Sequence, residues 1–436
     1  MAAFKSKRFG RIPFSYKAGH GPLRLTGEGT IGMKIMIELE EALKLVLTRI
    51  ESVQTECVPI TDAYKRVLAM DVTSEIAMPP FERSPLDGYA YKATAGDSQP
   101  LRLNVVSEIP AGILSERVIA PGEAAKIFTG APIPQGANCV VRMEDTEQVG
   151  DEVTIIRPVL PGSNIVPRGE EIQEGDLLLK KGFFLTPPAI GLLAAVGKDQ
   201  VTVYRRPRVG LLSTGTELMD VGQPLGPAKI YNSNSYTLRG ILQEAGCEVL
   251  VIPIVADRIE DTLEVLERLA DTDMVIATGG ASVGDYDIMR HALAQFGCEM
   301  LFWKLNLKPG TPVSVGLKEK RFFFSLSGNP AAAMVTFELL VRPALRKLAG
   351  HTMAEKERFL VKMASGFGKK GKQRRFLRAQ AVFKNGGIWA DLTPAQGSGI
   401  LRSMIGSRLL VDVPANHGPV EAGELLMASW IPEWEN

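Results

Sequence analysis

The 436-residue sequence is poor in cysteine and in histidine, with four residues of each. The cysteines form no C-x-x-C pair and no closely spaced set, which excludes a disulfide scaffold and favours a reducing cytoplasm. The histidines are scattered along the chain, which argues against a zinc or iron site with histidine ligands. Cys247 and Cys298 each follow a glycine and begin a strand-like run, so we expect both to be buried as small apolar side chains.

Excess charge and long apolar segments are also lacking. The formal net charge is +1, so no overall field favours nucleic acid or a membrane surface. No apolar run approaches the ~20 residues that a membrane-spanning helix needs, and the N-terminal segment has no apolar core like that of a signal peptide. We therefore expect a cytoplasmic protein that binds neither nucleic acid nor a membrane.

The first 32 residues are basic but otherwise uninformative. Their cationic residues are Lys5, Lys7, Arg8, Arg11, Lys17 and Arg24. We interpret residues 1–35 as an N-terminal extension without a fixed structure, or as the product of a start upstream of the one near Met33 or Met36. The alternative is a basic patch that binds a partner.

Hydrophobic patterning divides the rest of the chain into blocks. A stripe of leucine and isoleucine predicts an amphipathic helix over Ile37–Val53. Short β-branched runs between proline and glycine turns predict a β-rich region from about 72 to 170. Uniformly apolar strands alternate with helices over 205–349, which predicts a doubly wound parallel α/β domain with both faces of the sheet covered. Short strands and glycines return after 351, which predicts a C-terminal β domain.

Residues with useful chemistry follow the strands of the 205–349 block. Because ligands bind where the carboxyl ends of parallel strands meet, we expect these residues to share one site. They are Ser213, Thr214, Gly215 and Glu217 after the first strand, Asp257 after the second, Gly279, Gly280, Ser282, Gly284 and Asp287 after the third, Lys304 and Lys308 around the next, and Ser327, Gly328 and Asn329 after the last.

The residue types predict a phosphorylated ligand with its metal ion. Glycine-rich turns and helix starts present N–H groups to phosphate oxygens. Carboxylates such as Asp287 beside these turns would repel a bare phosphate, unless a divalent cation such as Mg²⁺ lies between them. Lys304 and Lys308 are compact charges that suit an oxyanion.

Each charged residue also has a structural interpretation. Asp257 could be the N-cap of a helix that begins at Ile259, and Glu217 could be a charge at a helix start. The two lysines could be solvated surface residues.

A series of motifs, taken in order, resembles that of a known protein family. The turns Ser84-Pro-Leu-Asp87-Gly-Tyr-Ala, Thr129-Gly-Ala-Pro and Arg168-Gly-Glu-Glu171 are ordinary when taken singly. They are followed by four motifs of the α/β block, Ser213-Thr-Gly-Thr-Glu217-Leu, Thr278-Gly-Gly-Ala-Ser-Val-Gly-Asp-Tyr-Asp287, Lys308-Pro-Gly and Gly328-Asn-Pro. In this order, the motifs resemble those of the molybdopterin molybdenumtransferase family, represented by MoeA in bacteria and by the E domain of gephyrin in animals. The resemblance runs from about Met36 to the C terminus.

The resemblance implies a homodimer of four-domain chains. The domains are an elongated linking domain (36–80 and 170–204), a β-rich domain (81–169), a MogA-like α/β domain that binds molybdopterin (205–349) and a C-terminal β-barrel-like domain (350–436). The active site would lie between the α/β domain of one chain and the β-rich domain of the other, so that Asp87, Thr129 and Glu171 would face the strand ends of the second chain.

The implied reaction inserts molybdenum from molybdate into adenylylated molybdopterin, with Mg²⁺-dependent release of AMP. Catalysis would fall to Asp87, Glu217, Asp257, Asp287, Lys304 and Lys308. Metal ligands would be Glu217, Asp257, Asp287 and Glu171, and substrate contacts would come from Thr129 and the glycine, serine, threonine and asparagine residues of the strand ends. Expected protein partners are the adenylyltransferase and recipient molybdoenzymes.

Two departures and two alternatives accompany this interpretation. Glu171 stands where many relatives have aspartate, and Thr311 stands where some have lysine. The alternative functions are molybdopterin adenylyl transfer, the preceding step, and a non-catalytic scaffold that binds peptides as the E domain of gephyrin does.

Overall fold

The structure is a computed structural model that describes residues 33–97, 100–280, 288–384 and 386–432. The N-terminal residues 1–32, and Ser282, Gly284 and Asp287 of the predicted site, lie outside the described residues. The compact unit begins at Lys34.

The secondary structure is listed here in chain order. The strands of the first half are β1 (Lys34–Ile37), β2 (Thr55–Pro59), β3 (Val72–Thr73), β4 (Gly88–Tyr91), β5 (Leu101–Ile109), β6 (Glu123–Ile127), β7 (Cys139–Arg142), β8 (Thr146–Val149), β9 (Glu152–Ile155), β10 (Leu177–Leu179) and β11 (Gln200–Tyr204). Those of the second half are β12 (Arg208–Ser213), β13 (Leu218–Met219), β14 (Ile230–Tyr231), β15 (Glu248–Val251), β16 (Met274–Thr278), β17 (Glu299–Leu305), β18 (Leu307–Lys308), β19 (Val313–Lys318), β20 (Arg321–Leu326), β21 (Phe359–Met363), β22 (Arg374–Lys384), β23 (Gly387–Leu392), β24 (Leu409–Val413) and β25 (Leu425–Trp430). The α-helices are α1 (Leu39–Leu47), α2 (Pro187–Ala195), α3 (Ser233–Glu244), α4 (Ile259–Arg268), α5 (Ile288–Gln295), α6 (Pro330–Thr336) and α7 (Arg342–Leu348).

A seven-stranded sheet in the order β1-β17-β19-β20-β16-β12-β15 forms the centre of the α/β domain. Apolar side chains from alternate positions of its strands enter two separate cores, one on each face. Phe322 and Phe324 of β20 belong to one core, while Phe323 belongs to the other. Both faces are therefore covered, as the uniformly apolar strands predict, and the α/β fold class is confirmed.

One strand of this sheet runs against its neighbours, unlike the all-parallel prediction. Strand β19 is antiparallel to both β17 and β20. Only Glu319 and Lys320 separate the end of β19 from the start of β20, and a parallel crossover needs a dozen or more residues. Such a short connection can form only a hairpin, so the sheet is mixed.

The first helix packs with the α/β layer. Strand β1 pairs in parallel with β17, and Leu39, Leu43 and Val46 of α1 lie in the same core as Val209 of β12. The apolar stripe predicted that the helix is buried on one side, but it did not identify the surface that covers it. By its packing, α1 belongs to the α/β layer and not to the linking segment 36–80 in which we placed it.

The other domains are built of short strands. Residues of the predicted β-rich domain form a six-stranded sheet in the order β7-β4-β6-β5-β9-β8. The pairs β2–β11 and β3–β10 are separate two-stranded sheets. In the C-terminal region, β22-β23-β21-β25-β24 close into a five-stranded barrel through the pairing of β22 with β24. Strand β18 extends this sheet, since Leu307 pairs with Arg374 and Lys308 with Arg375.

Two predictions made from composition can be compared with the fold. Cys247 and Cys298 are buried, as predicted, and all four cysteines are free. No helix among the described residues has the length and apolar character needed to cross a bilayer.

Candidate functional site

Three parallel strands of the sheet end in register. Ser213, the last residue of β12, pairs with Thr278, the last residue of β16, and Thr278 pairs with Leu326, the last residue of β20. The loops after these strands therefore leave the sheet side by side. The hydroxyls of Ser213 and Thr278 are 3.0 Å apart and buried, which ties two of the strand ends together.

A cavity of about 830 Å³, here called the main cavity, lies at this edge. Its wall contains nine of the residues predicted from sequence: Thr214, Gly215, Glu217, Asp257, Gly279, Gly280, Ser327, Gly328 and Asn329. Ser213 lies just behind the wall, bonded to Thr278, which does line the cavity. The side chain of Asn234 donates a hydrogen bond of 2.9 Å to the carbonyl of Gly328 and holds that loop in place.

The two central glycines allow the loops to pack closely. Gly279 and Gly280 have φ of +84° and +62°, a region in which side chains are strained. A Cβ at Gly279 would lie 1.9 Å from the carbonyl oxygen of Thr214, which is sterically impossible. Any larger residue would push the loop after β16 away from the loop after β12.

Asp257 has one carboxylate oxygen with a partner and one without. Its Oδ2 accepts a hydrogen bond of 2.9 Å from the backbone N–H of Thr216, while its Oδ1 is buried without a partner among the described residues. The N-cap of α4 is Arg258, whose side chain makes no capping bond. The interpretation of Asp257 as a helix cap is therefore wrong, and a buried unpaired carboxylate oxygen is the sort of group that a cation or a donor satisfies.

Glu217 is exposed and lies over the same turn. It is followed by strand β13, not by a helix, so the helix-start interpretation is also wrong. A Cβ at Gly215 would lie 2.7 Å from its carboxylate, which shows how closely the side chain folds back over the loop.

The acids of the main cavity fit Mg²⁺ as part of a shared site. Glu217 and Asp257 line the cavity, and the third predicted ligand, Asp287, lies outside the described residues. Within the described part of the chain, no cluster of three or more His, Cys, Asp or Glu residues could hold a metal by itself. Mg²⁺ usually takes only one or two carboxylates and completes its shell with water and phosphate oxygens, so two acids facing a phosphate cradle suffice.

A second cavity, here called the lateral cavity, adjoins the first. It measures about 670 Å³ and lies between the α/β domain and the barrel. Pro312, Ser327 and Asn329 line both cavities and form their common wall. Lys308 lines the lateral cavity together with Arg375 and Arg378 of β22, and none of the described residues in its wall is acidic.

Arg378 gives the lateral cavity an unusual buried cation. The side chain is fully buried, and its guanidinium donates to the hydroxyl of Ser403 and to the carbonyls of Ala395 and Gly397. No carboxylate among the described residues forms an ion pair with it. Burial lowers the pKa of Arg378 to about 10. A buried positive charge without an acid favours a bound anion.

Lys304 is held in a strained conformation beside an aromatic ring. Its φ is +69°, rare for a residue with a side chain, and its Nζ lies 3.7 Å from the centre of the Trp303 ring. Arg290 lies 4.5 Å from the same ring. Lys304 is half-buried, so it is not the solvated surface lysine of the alternative interpretation, and it lines neither cavity.

Comparison with known proteins identifies the family. The chain matches the MoeA N-terminal region (domains I and II) over residues 37–197, a probable molybdopterin-binding domain over 210–347 and the MoeA C-terminal region (domain IV) over 361–428. It is 33% identical over 406 residues to the molybdopterin molybdenumtransferase of Bacillus subtilis (strain 168), covering 91% of this chain and 94% of that protein. The chain belongs to the MoeA family.

Two further relatives agree with this assignment to the MoeA family. The molybdopterin molybdenumtransferase of Staphylococcus aureus (strain N315) is 32% identical over 392 residues, with 89% of this chain and 94% of that protein covered. A crystal structure of the MoeA protein of molybdopterin biosynthesis from Pyrococcus horikoshii OT3 superposes with a TM-score of 0.77 at 31% identity, covering 91% of this chain and all of that one.

Besides Lys304, three predicted site residues of this MoeA-family chain lie away from both cavities. Asp87, Thr129 and Glu171 line neither of them. Asp87 and Thr129 nevertheless form a unit, because Oδ1 of Asp87 accepts bonds of 2.8 Å from both the backbone N–H and the hydroxyl of Thr129. These two bonds hold the pKa of the Asp87 carboxyl below its usual range. Glu171 is exposed.

Several cavity residues were not found by sequence reasoning. They are Leu218, Ile230, Tyr231, Asn232 and Asn234 of the main cavity, and Gln373, Arg375, Arg378, Gln396 and Ser398 of the lateral cavity. The asparagines carried a usable signal, since Asn232 is the N-cap of α3 and its side chain accepts from the N–H of Ser235. The barrel residues carried no such sequence signal, because only the tertiary fold brings them next to the α/β domain.

Proposed function

We propose that this MoeA-family protein inserts molybdenum into adenylylated molybdopterin, with Mg²⁺-dependent release of AMP. The observation that carries the proposal is the pair of joined cavities. One has acids and turns that suit phosphate, the charged residues described in the other are all cations, and Pro312, Ser327 and Asn329 separate them. A reaction that breaks a phosphoanhydride bond next to an incoming oxyanion needs both environments in contact.

The main cavity suits the pyrophosphate. Backbone N–H groups of the turns at Gly279 and Gly328 can approach phosphate oxygens closely because no side chain intervenes. Glu217 and Asp257 would hold Mg²⁺, with Asp287 as a third ligand. Bound there, the ion would neutralise charge on the phosphates as the bond breaks. The buried Oδ1 of Asp257 is ready for that role without a change in the loop.

The lateral cavity suits molybdate. Lys308, Arg375 and Arg378 supply positive charge, and Gln373, Gln396 and Ser398 add hydrogen-bonding groups. Charge-assisted bonds of this type are about twice as strong as neutral ones. None of the described lining residues is acidic, which the sequence did not predict, and this favours a doubly charged tetrahedral anion here over a metal cation.

The overall chemistry balances without a nucleophilic side chain. Water breaks the bond between the AMP phosphorus and the bridging oxygen, so that AMP and the pterin phosphate leave as separate anions. The two thiols of the dithiolene displace two oxo groups of molybdate, which leave as hydroxide. The protein's part is to hold both anions at the wall around Ser327 and to exclude other orientations.

We further propose that the protein works as a cytoplasmic homodimer. Asp87, Thr129 and Glu171 are absent from both cavities of their own chain, so they would complete the site of a second copy. Glu171 would reach the metal through water, a role that tolerates one methylene more than aspartate. Contacts with the adenylyltransferase and with recipient molybdoenzymes would pass the substrate in and the product out.

The test supplies adenylylated molybdopterin, molybdate and Mg²⁺ without ATP, and measures AMP by chromatography. Release of AMP that requires both molybdate and Mg²⁺ is the expected result. Failure to release AMP would refute the proposal. If the protein instead converted molybdopterin and ATP, in a parallel assay, into adenylylated molybdopterin and pyrophosphate, the adenylyltransferase alternative would be correct. A scaffold would do neither.

A further inference from the structure

A short basic segment of the barrel lies beside the lateral cavity. Residues 364–373 connect β21 to β22, and we call them the basic loop. The loop contains three glycines and three lysines, Lys369, Lys370 and Lys372. All three lysines are exposed, and no acid among the described residues forms an ion pair with them. The loop therefore presents three uncompensated positive charges to the solvent.

Both ends of the basic loop are anchored at the lateral cavity. Phe367 and Gln373 line that cavity. The backbone N–H of Phe367 donates a 2.8 Å hydrogen bond to the carbonyl of Val420, and the side chain of Gln373 donates a long one of 3.4 Å to the hydroxyl of Thr311, which also lines the cavity. The lysines lie between these two anchored residues, so their charges stay close to the cavity.

Arg375 connects the basic loop to the cavity wall. Its guanidinium donates a 3.1 Å hydrogen bond to the carbonyl of Lys370 and lies 5.7 Å from the centre of the Phe367 ring. A Cβ at Gly371 would lie 2.5 Å from Nη2 of Arg375, so the glycine allows the loop to rest directly on the guanidinium. Nε of Arg375 is buried without a hydrogen-bond partner among the described residues, and a bound anion can satisfy such a donor.

The preceding residue shows that the positive charge is kept on the cavity side of β22. Arg374 forms ion pairs with Asp412 and Glu40. Successive side chains of a strand point to opposite faces, so Arg375 points away from these acids, and it lines the lateral cavity. Among the described residues no acid pairs with Arg375. The loop and the wall beside it therefore form one continuous cationic surface.

We propose that the basic loop is an electrostatic entrance that draws a tetrahedral dianion to the lateral cavity, where Arg375 is the first cation of the wall. The inference rests on the proposed function, in which this cavity takes molybdate. Charges of one sign beside a cleft raise the association rate of an oppositely charged ligand by roughly 10- to 10³-fold. A dianion gains twice as much Coulomb energy from each lysine as a monoanion does, so the loop favours molybdate over chloride before any contact is made.

The dependence on ionic strength distinguishes an entrance from a set of direct ligands. The Debye length is roughly 30 Å at 0.01 M salt and about 8 Å at 0.15 M. Exposed lysines that act at a distance therefore lose most of their effect as salt is added. A buried cation such as Arg378 is screened much less, so its contribution to anion binding should persist at both salt concentrations.

The test replaces Lys370 and Lys372 by glutamine in the full-length protein and measures molybdate affinity by calorimetry over a salt series. At 0.01 M salt we expect the affinity to fall about 3- to 30-fold, a part of the range for electrostatic attraction, and at 0.15 M we expect it to approach that of the wild type. Lys370→Arg with Lys372→Arg keeps both charges and should keep the wild-type affinity throughout. Wild-type affinity of the glutamine variant at 0.01 M salt would overturn the proposal.

Enzyme kinetics give a second readout of the same variants. In the AMP-release assay at low salt, the glutamine variant should lower kcat/KM for molybdate by a similar factor and leave kcat at saturating molybdate unchanged. An entrance affects the capture of the anion and not the reaction that follows. A fall in kcat, or an equal loss of affinity at 0.01 M and 0.15 M salt, would make the lysines part of the binding site itself and the proposal wrong.

Lys362→Gln with Lys384→Gln is the matched control. Both lysines are exposed residues of the same barrel, they line neither cavity, and they lie 4.8 and 4.2 Å from the centre of the Trp389 ring. The control changes the net charge by the same amount, and it leaves any competition by chloride in place. Molybdate affinity should stay at the wild-type value, and a loss equal to that of the loop variant would show that only the net charge matters.

Failure of the entrance and failure of molybdenum insertion give different results. If the wild-type protein releases AMP and the loop variant matches it in both assays, the entrance is refuted and insertion stands. If the wild-type protein releases no AMP while the loop variant still loses molybdate affinity at low salt only, insertion fails and the entrance stands. If calorimetry shows no molybdate binding to the wild-type protein, both proposals are wrong.

Discussion

Replacing Asp257 by asparagine separates its two structural roles. Oδ2 accepts the N–H of Thr216 at 2.9 Å, and an asparagine amide oxygen can do the same. Oδ1 is buried without a partner, and it is this atom's charge that asparagine removes. The loop should therefore keep its shape while the site loses one metal-facing charge.

The two effects differ in size. Loss of a preorganised electrostatic group in an active site lowers turnover by roughly 10²–10³-fold. Loss of the hydrogen bond to Thr216 would cost about 1 kcal/mol, because Thr216 is exposed and water can bond to its freed N–H. Asp257→Asn should thus lose AMP release with almost unchanged stability, whereas Asp257→Ala should lose AMP release and about 1 kcal/mol of the free energy of unfolding.

The assay measures AMP release over a Mg²⁺ titration, with urea unfolding in parallel. We expect the half-saturating Mg²⁺ concentration to rise in Asp257→Asn. The control is Asp220→Asn, an exposed acid that accepts from Tyr236 at 3.2 Å and lines neither cavity. If Asp257→Asn released AMP at the wild-type rate, Asp257 would only support the loop, and the metal-binding role proposed for it would be wrong.

Three further predictions follow from the geometry. Gly279→Ala should lower the free energy of unfolding by at least about 1–2 kcal/mol and abolish AMP release, because its Cβ would clash with the Thr214 carbonyl at 1.9 Å. Urea unfolding measures the stability and the AMP assay measures the activity. A variant that is both stable and active would contradict this prediction. Arg378→Met should weaken molybdate binding about 10- to 100-fold in calorimetry while AMP binding stays the same, and equal loss of both ligands would refute separate cavities. Burial, with the nearby charge of Arg346, lowers the pKa of His351 from 6.5 to about 4. Below pH 6.5 the unfolded chain therefore takes up a proton that the folded chain refuses, so the free energy of unfolding should fall by about 1–2 kcal/mol between pH 6.5 and 4. His351→Phe, which can keep the stacking on Phe184, should lose that component in urea titrations at each pH, and an unchanged slope would contradict the assignment.

Local patterns predicted the loops of the α/β edge well. Gly279 and Asp257 stand directly after apolar strands, and parallel strands bring such positions together whatever the rest of the fold does. The sequence could therefore predict that Gly279 and Asp257 line the same cavity. The sequence could not predict that Asp257 accepts from Thr216 with one oxygen and leaves the other unpaired, because this contact joins two different loops.

Other parts of the site depend on contacts between distant segments. Arg378 lies within a strand of the barrel, where the sequence shows only a charged residue among apolar ones. The pair β13–β14 has two residues in each strand, too few for any periodicity to show. The antiparallel direction of β19 was not predicted either, because it is set by the two-residue connection that follows the strand.

The pairing of β18 with β22 places the lateral cavity at a junction between two domains. One side is a loop of the α/β layer at Lys308, and the other is a barrel strand at Arg375. Substitutions along that strand can alter the size and charge of the lateral cavity without changing the turns of the main cavity. Under the proposed function, preference for the oxyanion and recognition of the nucleotide could therefore change independently of each other.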